Sequence, residues 1–235
     1  MRAPPVLLLP GMMLDGRMYA AQARALEDLT EVHHADLTAD DSIEAMAARV
    51  LASAPPTFAA VGLSMGGIVA LELWRQAPRR ITHLALLDTT PHAERPERLA
   101  QRLAQMAAVE AGELREVLVH SLKPRYLAAC HRHHQAMLTD LLAMGLDLGA
   151  DVFRRQSEAL KNRPEASGLL AQIDCPSLVL CGREDELCPP ALHAAMADAL
   201  PRADLMVLAD CGHLSTIEAP DAVNEALRRL FRRTS

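Results

Sequence analysis

Short apolar runs alternate with helix-period segments along most of this 235-residue chain. Six of the runs have the length and aliphatic content of buried strands; they cover residues 6–9, 32–37, 58–63, 81–87, 177–181 and 204–208. Helices are predicted at residues 18–29, 42–54, 66–77, 191–200 and 220–232. Strands that alternate with helices connect through right-handed crossovers and build a parallel sheet with helices on both faces. The pattern therefore predicts an α/β fold with a mostly parallel central sheet of about six strands.

The alternation is interrupted between residues 92 and 171. This stretch has only helix-period segments, rich in Leu, Met, Ala and charged residues, and no convincing strand. We interpret it as a helical cap inserted after the fourth strand, and we call residues 92–171 the cap segment. Residues 1–91 and 172–235 then form the core domain. Ligands of open parallel sheets bind outside the carboxyl ends of the strands, which is where the candidate functional residues fall.

The sequence Gly62-Leu63-Ser64-Met65-Gly66 joins the third predicted strand to the helix that follows it. A turn this tight strains the serine backbone and lifts its hydroxyl above the sheet, while the flanking glycines let strand and helix pass closely. The start of the helix directs its N–H groups and positive dipole end towards a developing oxyanion. We predict that Ser64 is a nucleophile; the alternative is an ordinary glycine-rich turn with a capping serine. A phosphate-binding loop is not indicated, because neither of its glycine patterns occurs.

Four short motifs resemble the α/β-hydrolase superfamily: Leu9-Pro10-Gly11-Met12, the turn at Ser64, Gly182-Arg183-Glu184-Asp185 and Cys211-Gly212-His213. The resemblance extends along nearly the whole chain, but the cap segment carries no matching motif. It implies the α/β-hydrolase fold and a serine hydrolase whose catalytic histidine lies in a short loop after a strand.

His213 and Asp185 are the candidate partners of Ser64. Among ten histidines, His213 is the one that directly follows a predicted strand in a short loop, after Gly212, as the family's catalytic histidine does. A serine nucleophile needs such a base, and the base needs a carboxylate to orient it. Asp185 follows the fifth predicted strand and matches the family's chain order of serine, acid and histidine. Asp88, after the fourth strand, is the alternative acid, and capping of the next helix is the alternative role of Asp185.

The resemblance places an oxyanion hole at two backbone N–H groups, those of Met12 and Met65. Met65 directly follows the nucleophile, and Met12 is the matching position in the loop after the first strand. Many relatives have His-Gly where this chain has Pro10-Gly11. Because the donor is a backbone group, the loss of that histidine does not remove the hole.

The stretch Cys130-His131-Arg132-His133-His134 looks like a metal-binding pattern at first sight. On a helix, His131 and His134 would share one face at a spacing of i, i+3. The sequence offers no second cluster of ligands, so we interpret the stretch as a solvated helix face and expect neither a metal nor a cofactor.

Composition argues against several classes of partner. Aromatic residues make up 3% of the chain and the formal net charge is −6, which disfavours nucleic-acid binding because bases stack on aromatic rings and phosphates need cations. No run approaches the roughly 20 apolar residues that span a bilayer, so membrane insertion is not expected. Five cysteines without a C-x-x-C pair, and no visible secretory signal, predict reduced thiols and a cytoplasmic protein.

Together these features predict a carboxylesterase-like serine hydrolase that cleaves a small-to-medium ester, thioester or lactone through an acyl-enzyme on Ser64. Its expected partner is a small-molecule acyl substrate, and the Leu, Met and Ala content of the cap segment suggests an aliphatic acyl portion. The alternatives that use the same three residues are C–C bond hydrolysis, cofactor-free haloperoxidase chemistry and lyase chemistry. A ligand-binding protein with little turnover is the rival from another class.

Overall fold

In a computed structural model that describes residues 3–122 and 126–234, six strands form one sheet. The strands are β1 (Val6–Leu9), β2 (Val32–His34), β3 (Phe58–Leu63), β4 (Ile81–Leu87), β5 (Ser177–Gly182) and β6 (Ala203–Leu208). They lie in the order β2-β1-β3-β4-β5-β6, and every neighbouring pair is parallel. The predicted α/β fold with a six-stranded parallel sheet is confirmed.

Helices cover both faces of this sheet. They are α1 (Ala20–Leu26), α2 (Ile43–Ser53), α3 (Met65–Gln76), α4 (Pro96–Glu110), α5 (Leu114–Glu116), α6 (Gln135–Lys161), α7 (Pro190–Ala199), α8 (Ser215–Glu218) and α9 (Pro220–Leu230). Alternate residues of a strand point to opposite faces, and the core divides accordingly. Leu7 and Leu9 of β1 belong to the core cluster that contains α2 and α3 residues, whereas Val6 and Leu8 belong to the cluster that contains α1 and α9 residues. Because both faces are buried, the strand ends are where polar side chains can gather.

Several elements differ from the sequence-based expectations, most of them by one or two residues at an end. β2 ends at His34 rather than at residue 37, because the Asp36 carboxylate accepts hydrogen bonds from the N–H and the hydroxyl of Thr38 and forms a turn. α1 begins at Ala20 rather than at residue 18, since a 3₁₀ helix, Gly16–Tyr19, precedes it. The helix α8 has only 4 residues, too few to show a helical period in the sequence.

Between β4 and β5, every regular element of the described residues is helical. After α4 and α5, the segment Val117–Leu122 forms π-helical turns, and α6 is kinked at Gly149, where φ is 81°. A 3₁₀ helix, Ser167–Gln172, then leads to β5. The boundaries of the cap segment stay a prediction. Within the described ranges, no helix combines the length and the apolar character needed to cross a membrane.

Candidate active site

Ser64 occupies the turn between β3 and α3 in a backbone conformation that non-glycine residues rarely adopt. Its φ of 55° and ψ of −116° lie outside the regions favoured by L-residues. Its N–H donates to the carbonyl of Leu87 at 2.9 Å. Glycine is needed on both sides, because a Cβ on Gly62 would collide with the backbone of Gly66, and a Cβ on Gly66 would collide with the Leu9 carbonyl. The turn presents the serine side chain at the carboxyl edge of the sheet, where it lines a cleft.

His213 lies between the side chains of Ser64 and Asp185. Its Nε2 is 2.9 Å from the Ser64 Oγ, and its Nδ1 is 2.8 Å from the Asp185 Oδ2. An ionised carboxylate can only accept hydrogen bonds, so Nδ1 donates to Asp185 and Nε2 is left to accept from the serine hydroxyl. The other carboxylate oxygen, Oδ1, accepts the N–H groups of Leu187 and Cys188 at 2.8 and 2.9 Å. The structure thus brings the three predicted side chains into one continuous chain of hydrogen bonds.

His213 and Asp185 are both buried, and each shifts the pKa of the other. Burial, the largest effect, disfavours the imidazolium, but the charge and the hydrogen bond of Asp185 outweigh it and raise the pKa of His213 above its usual 6.5. Burial also disfavours the Asp185 carboxylate, but His213 and the two loop N–H groups outweigh it and lower the pKa of Asp185 below its usual 3.8. The pair therefore combines an ionised carboxylate with an imidazole of increased proton affinity, as a general base requires.

Asp88, the alternative acid, is buried near this pair but is bound to other groups. Its Oδ1 accepts the N–H of Gly182 at 3.0 Å, and its Oδ2 accepts the N–H of Ser215 at 3.1 Å. Burial and, next, the charge of Asp185 raise the pKa of Asp88. The carboxylate that reaches the Nδ1 of His213 is that of Asp185, whereas Asp88 joins the end of β5 to the start of α8.

A second layer of polar side chains supports the turn at Ser64. The Thr89 hydroxyl donates to the carbonyl of Ser64 at 2.7 Å, and the Thr89 N–H donates to the Nε2 of His193 at 3.0 Å. The proton of His193 is therefore on Nδ1, which faces the Pro189 carbonyl at 3.3 Å. Burial lowers the pKa of His193, which keeps its ring neutral and able to accept. This support could not be predicted from the sequence, since Thr89 and His193 are 104 positions apart.

The predicted oxyanion donors, Met12 and Met65, belong to the loop after β1 and to the start of α3. Met65 is the first residue of α3, and the first N–H groups of a helix have no acceptor within it. Met12 lies in the loop after β1 and lines the cleft. That loop is fixed from α6, because the Met13 N–H donates to the Oε1 of Gln156 at 2.9 Å and the Nε2 of Gln156 donates to the Leu37 carbonyl at 3.1 Å. Gln156, which is buried, thus holds the loop that carries Met12.

The cleft at Ser64 has a narrow cavity of about 80 Å³ and a wider one of about 320 Å³, and both are lined by Ser64 and His213. The apolar side chains of the wider cavity include Ile68, Leu160, Leu187 and Leu192. Its charged side chains, apart from the histidines, are Glu94, Arg95, Arg98, Arg102 and Arg163. The wider cavity thus combines aliphatic and charged side chains, and α4 contributes Arg98 and Arg102. The aliphatic acyl portion expected from the composition of the cap segment stays a prediction.

The sequence profile of the alpha/beta hydrolase family matches residues 6–226 of this chain. The chain belongs to this family. The pimeloyl-(acyl-carrier protein) methyl ester esterase of Xanthomonas oryzae pv. oryzae is 29% identical over 243 residues, which cover 96% of this chain and 94% of the relative. A thermophilic esterase from Thermogutta terrifontis, solved with malate bound, superimposes with a TM-score of 0.89 at 28% identity, over 98% of this chain and 90% of that one. An enol-lactonase from Burkholderia xenovorans shares the fold with a TM-score of 0.85 at 22% identity, over 99% and 93% of the two chains. The two esterases support hydrolytic activity, whereas the likeness to the lactonase shows the fold.

In this α/β-hydrolase, the loop that carries His213 is held by a buried glutamate, Glu218 of α8. Its Oε1 accepts the N–H groups of Gly212 and Leu214, at 3.0 and 3.2 Å. Its Oε2 accepts the N–H of Ala128 at 2.7 Å. Because the carboxylate binds both the histidine loop and the cap segment, it fixes one against the other. Sequence reasoning missed Glu218, since nothing distinguishes it there from a surface glutamate.

Residues 130–134, which look like a metal-binding pattern, form turns rather than a helix face. The Nδ1 of His131 lies 3.1 Å from the Oε2 of Glu218, and the Nδ1 of His134 caps α6 by accepting the N–H of Met137 at 3.3 Å. The expected helix is therefore wrong, whereas the expected exposure to solvent is confirmed for Cys130, Arg132, His133 and His134.

A second group of possible metal ligands lies at the site itself. Single ligand atoms of Asp185, Cys188 and His213 lie within 4.8 Å of one another. Asp185 and His213 already share a hydrogen bond. Burial and, next, the charge of Asp185 raise the pKa of the Cys188 thiol well above its usual value, and a protonated thiol is a poor ligand. The group therefore fits a hydrogen-bonded acid–base pair beside an inert thiol better than it fits metal coordination.

Proposed function

We propose that this chain is a carboxylesterase-like serine hydrolase that cleaves a small-to-medium ester, thioester or lactone through an acyl-enzyme on Ser64. The observation that carries the proposal is the hydrogen-bonded chain from the Ser64 Oγ through His213 to Asp185, with contacts of 2.9 and 2.8 Å. A serine hydroxyl is a poor nucleophile by itself, and an oriented neutral imidazole within hydrogen-bond distance activates it.

In the acylation step, the Ser64 Oγ attacks the substrate carbonyl carbon while its proton moves to the Nε2 of His213. The carbonyl electrons move onto the oxygen, and the N–H groups of Met12 and Met65 bind the resulting oxyanion. Asp185 stabilises the imidazolium and keeps it oriented. When the tetrahedral intermediate collapses, the bond to the leaving group breaks and the Nε2 proton passes to the leaving oxygen or sulfur.

In the deacylation step, water takes the place of the leaving group. The Nε2 of His213 accepts a proton from the water, whose oxygen attacks the acyl carbon, and the same two N–H groups bind the second oxyanion. Collapse of this intermediate breaks the bond to the Ser64 Oγ, which recovers its proton from Nε2. The carboxylic acid is released, and the residues return to their starting state.

The relatives support ester cleavage over the other reactions that these three residues could perform. Both the Xanthomonas and the Thermogutta proteins are esterases, and each matches this chain along nearly its whole length.

A fluorophosphonate probe tests the proposal, because it reacts with activated serine hydroxyls. We expect the wild-type chain to be labelled between about pH 6 and 9 and to hydrolyse p-nitrophenyl acetate. Ser64→Ala should lose both the labelling by the probe and the hydrolysis of p-nitrophenyl acetate, and it should keep the circular dichroism spectrum of the wild type. Ser53→Ala, at an exposed serine of α2, is the matched control and should behave as the wild type. A wild-type chain that is neither labelled nor active would refute the proposal and favour a ligand-binding protein.

A further inference from the structure

The cleft at Ser64 has an excess of positive charge, although the chain as a whole has a formal net charge of −6. Among the residues that the structure describes, the wider cavity is lined by one carboxylate, that of Glu94, and by four arginines: Arg95, Arg98, Arg102 and Arg163. Charges that serve only solubility are interspersed over a protein surface. A concentration of arginines at one cavity therefore indicates a role in that cavity.

Glu94 neutralises only part of this charge. Its side chain is 3% exposed, and its Oε2 lies 2.6 Å from Arg102 and 3.1 Å from Arg163. One carboxylate between two guanidinium groups leaves a net positive charge in a place with little water. Burial, the largest effect on Arg163, lowers its pKa, so a further anion in the cavity would stabilise the charged form.

Arg98 and Arg102 line both the narrow and the wide cavity. They are one turn apart on α4, at a spacing of i, i+4, and therefore share one face of the helix. Arg98 donates to the carbonyl of Leu187 at 2.8 Å, in the loop that also contacts Asp185. Arg102 donates to the Sδ of Met12 at 3.7 Å, on the side of the predicted oxyanion hole. The two guanidinium groups are thus held at the cleft, one by the loop after β5 and the other beside the loop after β1.

We propose that this cleft selects esters that carry a carboxylate, and that Arg98 and Arg102 bind this carboxylate. The inference rests on the proposed ester hydrolysis and names the substrate class of the same site. A guanidinium group binds a carboxylate through two parallel hydrogen bonds, which orient the ligand as well as attract it. The wider cavity, at about 320 Å³, suits a short substrate chain that ends in such a group.

Two pairs of esters test this selectivity, because the members of each pair differ in one charged group. Monomethyl glutarate and methyl pentanoate differ on the acyl side, whereas acetoxyacetate and ethyl acetate differ on the leaving-group side. In at least one pair we expect kcat/KM of the charged ester to exceed that of the neutral one by about tenfold or more at low ionic strength. Added salt should reduce the ratio, because it screens the guanidinium groups.

Arginine variants locate the source of the selectivity. Arg98→Gln and Arg102→Gln should each reduce the charged-to-neutral ratio of kcat/KM by about tenfold. Arg115→Gln removes an exposed arginine of α5 that is not part of the cleft lining, and it should keep the wild-type ratio. Arg102→Gln also removes a partner of Glu94, so Arg98→Gln decides the question if the former fails to fold.

The outcomes separate this inference from the proposed function. Equal kcat/KM values within both pairs, or a preference that survives Arg98→Gln, would overturn the inference while labelling of Ser64 upholds the proposed function. If no ester is cleaved and no probe reacts with Ser64, both fail together.

Discussion

Glu218 accepts hydrogen bonds from both peptide N–H groups that flank His213. Its Oε1 lies 3.0 Å from the nitrogen of Gly212 and 3.2 Å from that of Leu214. The Glu218 side chain is fully buried, so these dipoles, rather than water, compensate its charge. The position of the His213 imidazole therefore depends on the Glu218 carboxylate, although these hydrogen bonds reach only the backbone on either side of His213.

We expect Glu218→Gln to weaken the contact that positions the histidine loop, because the new NH₂ group cannot accept from the N–H groups of Gly212 and Leu214 or, in the other orientation, from that of Ala128. A buried donor left without an acceptor should lower the free energy of unfolding by about 1–3 kcal/mol. The misplaced imidazole should lower kcat by about tenfold to a hundredfold. Urea unfolding and ester kinetics measure the two effects, with Glu225→Gln, an exposed glutamate of α9, as the control. A loss of stability with unchanged kcat would limit Glu218 to a structural role.

Asp185→Asn should lower kcat by about 10⁴-fold while the fold is kept, because an amide no longer fixes the tautomer of His213 or stabilises the imidazolium. Asp88→Asn should have a much smaller effect on kcat, since the Asp88 carboxylate binds the N–H groups of Gly182 and Ser215 instead. Steady-state kinetics of the two variants on one p-nitrophenyl ester make the comparison. A silent Asp185→Asn beside a large loss in Asp88→Asn would assign the acid to the end of β4.

The pH dependence of kcat/KM should follow His213, because only the neutral imidazole can accept the serine proton. Asp185 raises the pKa of His213, so activity should increase with pH through a midpoint above 6.5. In Asp185→Asn the midpoint should move to lower pH, since the charge that holds the proton is removed. In the wild type, the raised pKa of His213 stabilises the folded state below pH 6.5. This stabilisation is lost as the pH rises through the pKa of His213 in the folded state. A midpoint below 6.5 in the wild type would contradict the proposed pairing.

Glu94→Gln should destabilise the protein, because it leaves Arg102 and Arg163 together without their shared carboxylate. Removal of one partner from a buried ion pair typically costs about 3 kcal/mol of folding free energy. Burial disfavours the Glu94 carboxylate, but the two arginines outweigh this effect and lower the pKa of Glu94 below its usual 4.5. The stability that the Glu94 carboxylate contributes is therefore fully present above pH 4.5 and is lost as the pH falls through the lowered pKa. Urea unfolding at pH 7 and pH 4 should therefore show that the wild type and Glu94→Gln differ less in unfolding free energy at pH 4. Glu97→Gln, an exposed position of α4, should show little difference at either pH.

The resemblance to the α/β-hydrolase family singled out Ser64, Asp185 and His213, whereas the fold, and the place where these residues meet, follow from the order of strands and helices. Strands that alternate with helices form a parallel sheet, and the carboxyl ends of neighbouring parallel strands share one edge. Each of the three residues lies shortly after a strand, so they meet at that edge although His213 and Ser64 are 149 positions apart.

The side chains that support the site could not be predicted in this way. Gln156 holds the N–H of Met13 from 143 positions away, and neither residue has a distinctive pattern around it. The charged side chains in the lining of the cleft could not be predicted either, because composition does not say which face of a helix turns inward. On α4 the side chain of Arg102 is only 12% exposed, whereas the neighbouring Leu103 is 48% exposed.

The turn at Ser64 should store strain that a glycine would release. With φ at 55° and ψ at −116°, a side chain at this position costs about 1–3 kcal/mol, whereas glycine adopts such a conformation freely. Ser64→Gly should therefore be more stable than Ser64→Ala by about 1 kcal/mol, once the greater freedom of glycine in the unfolded chain is subtracted. The same two substitutions at Ser157, inside α6, should give the opposite order of stability, because glycine destabilises a helix by about 1 kcal/mol relative to alanine. Urea unfolding of the four variants measures both differences. If the alanine variant were the more stable one at both positions, the backbone at Ser64 would not be strained.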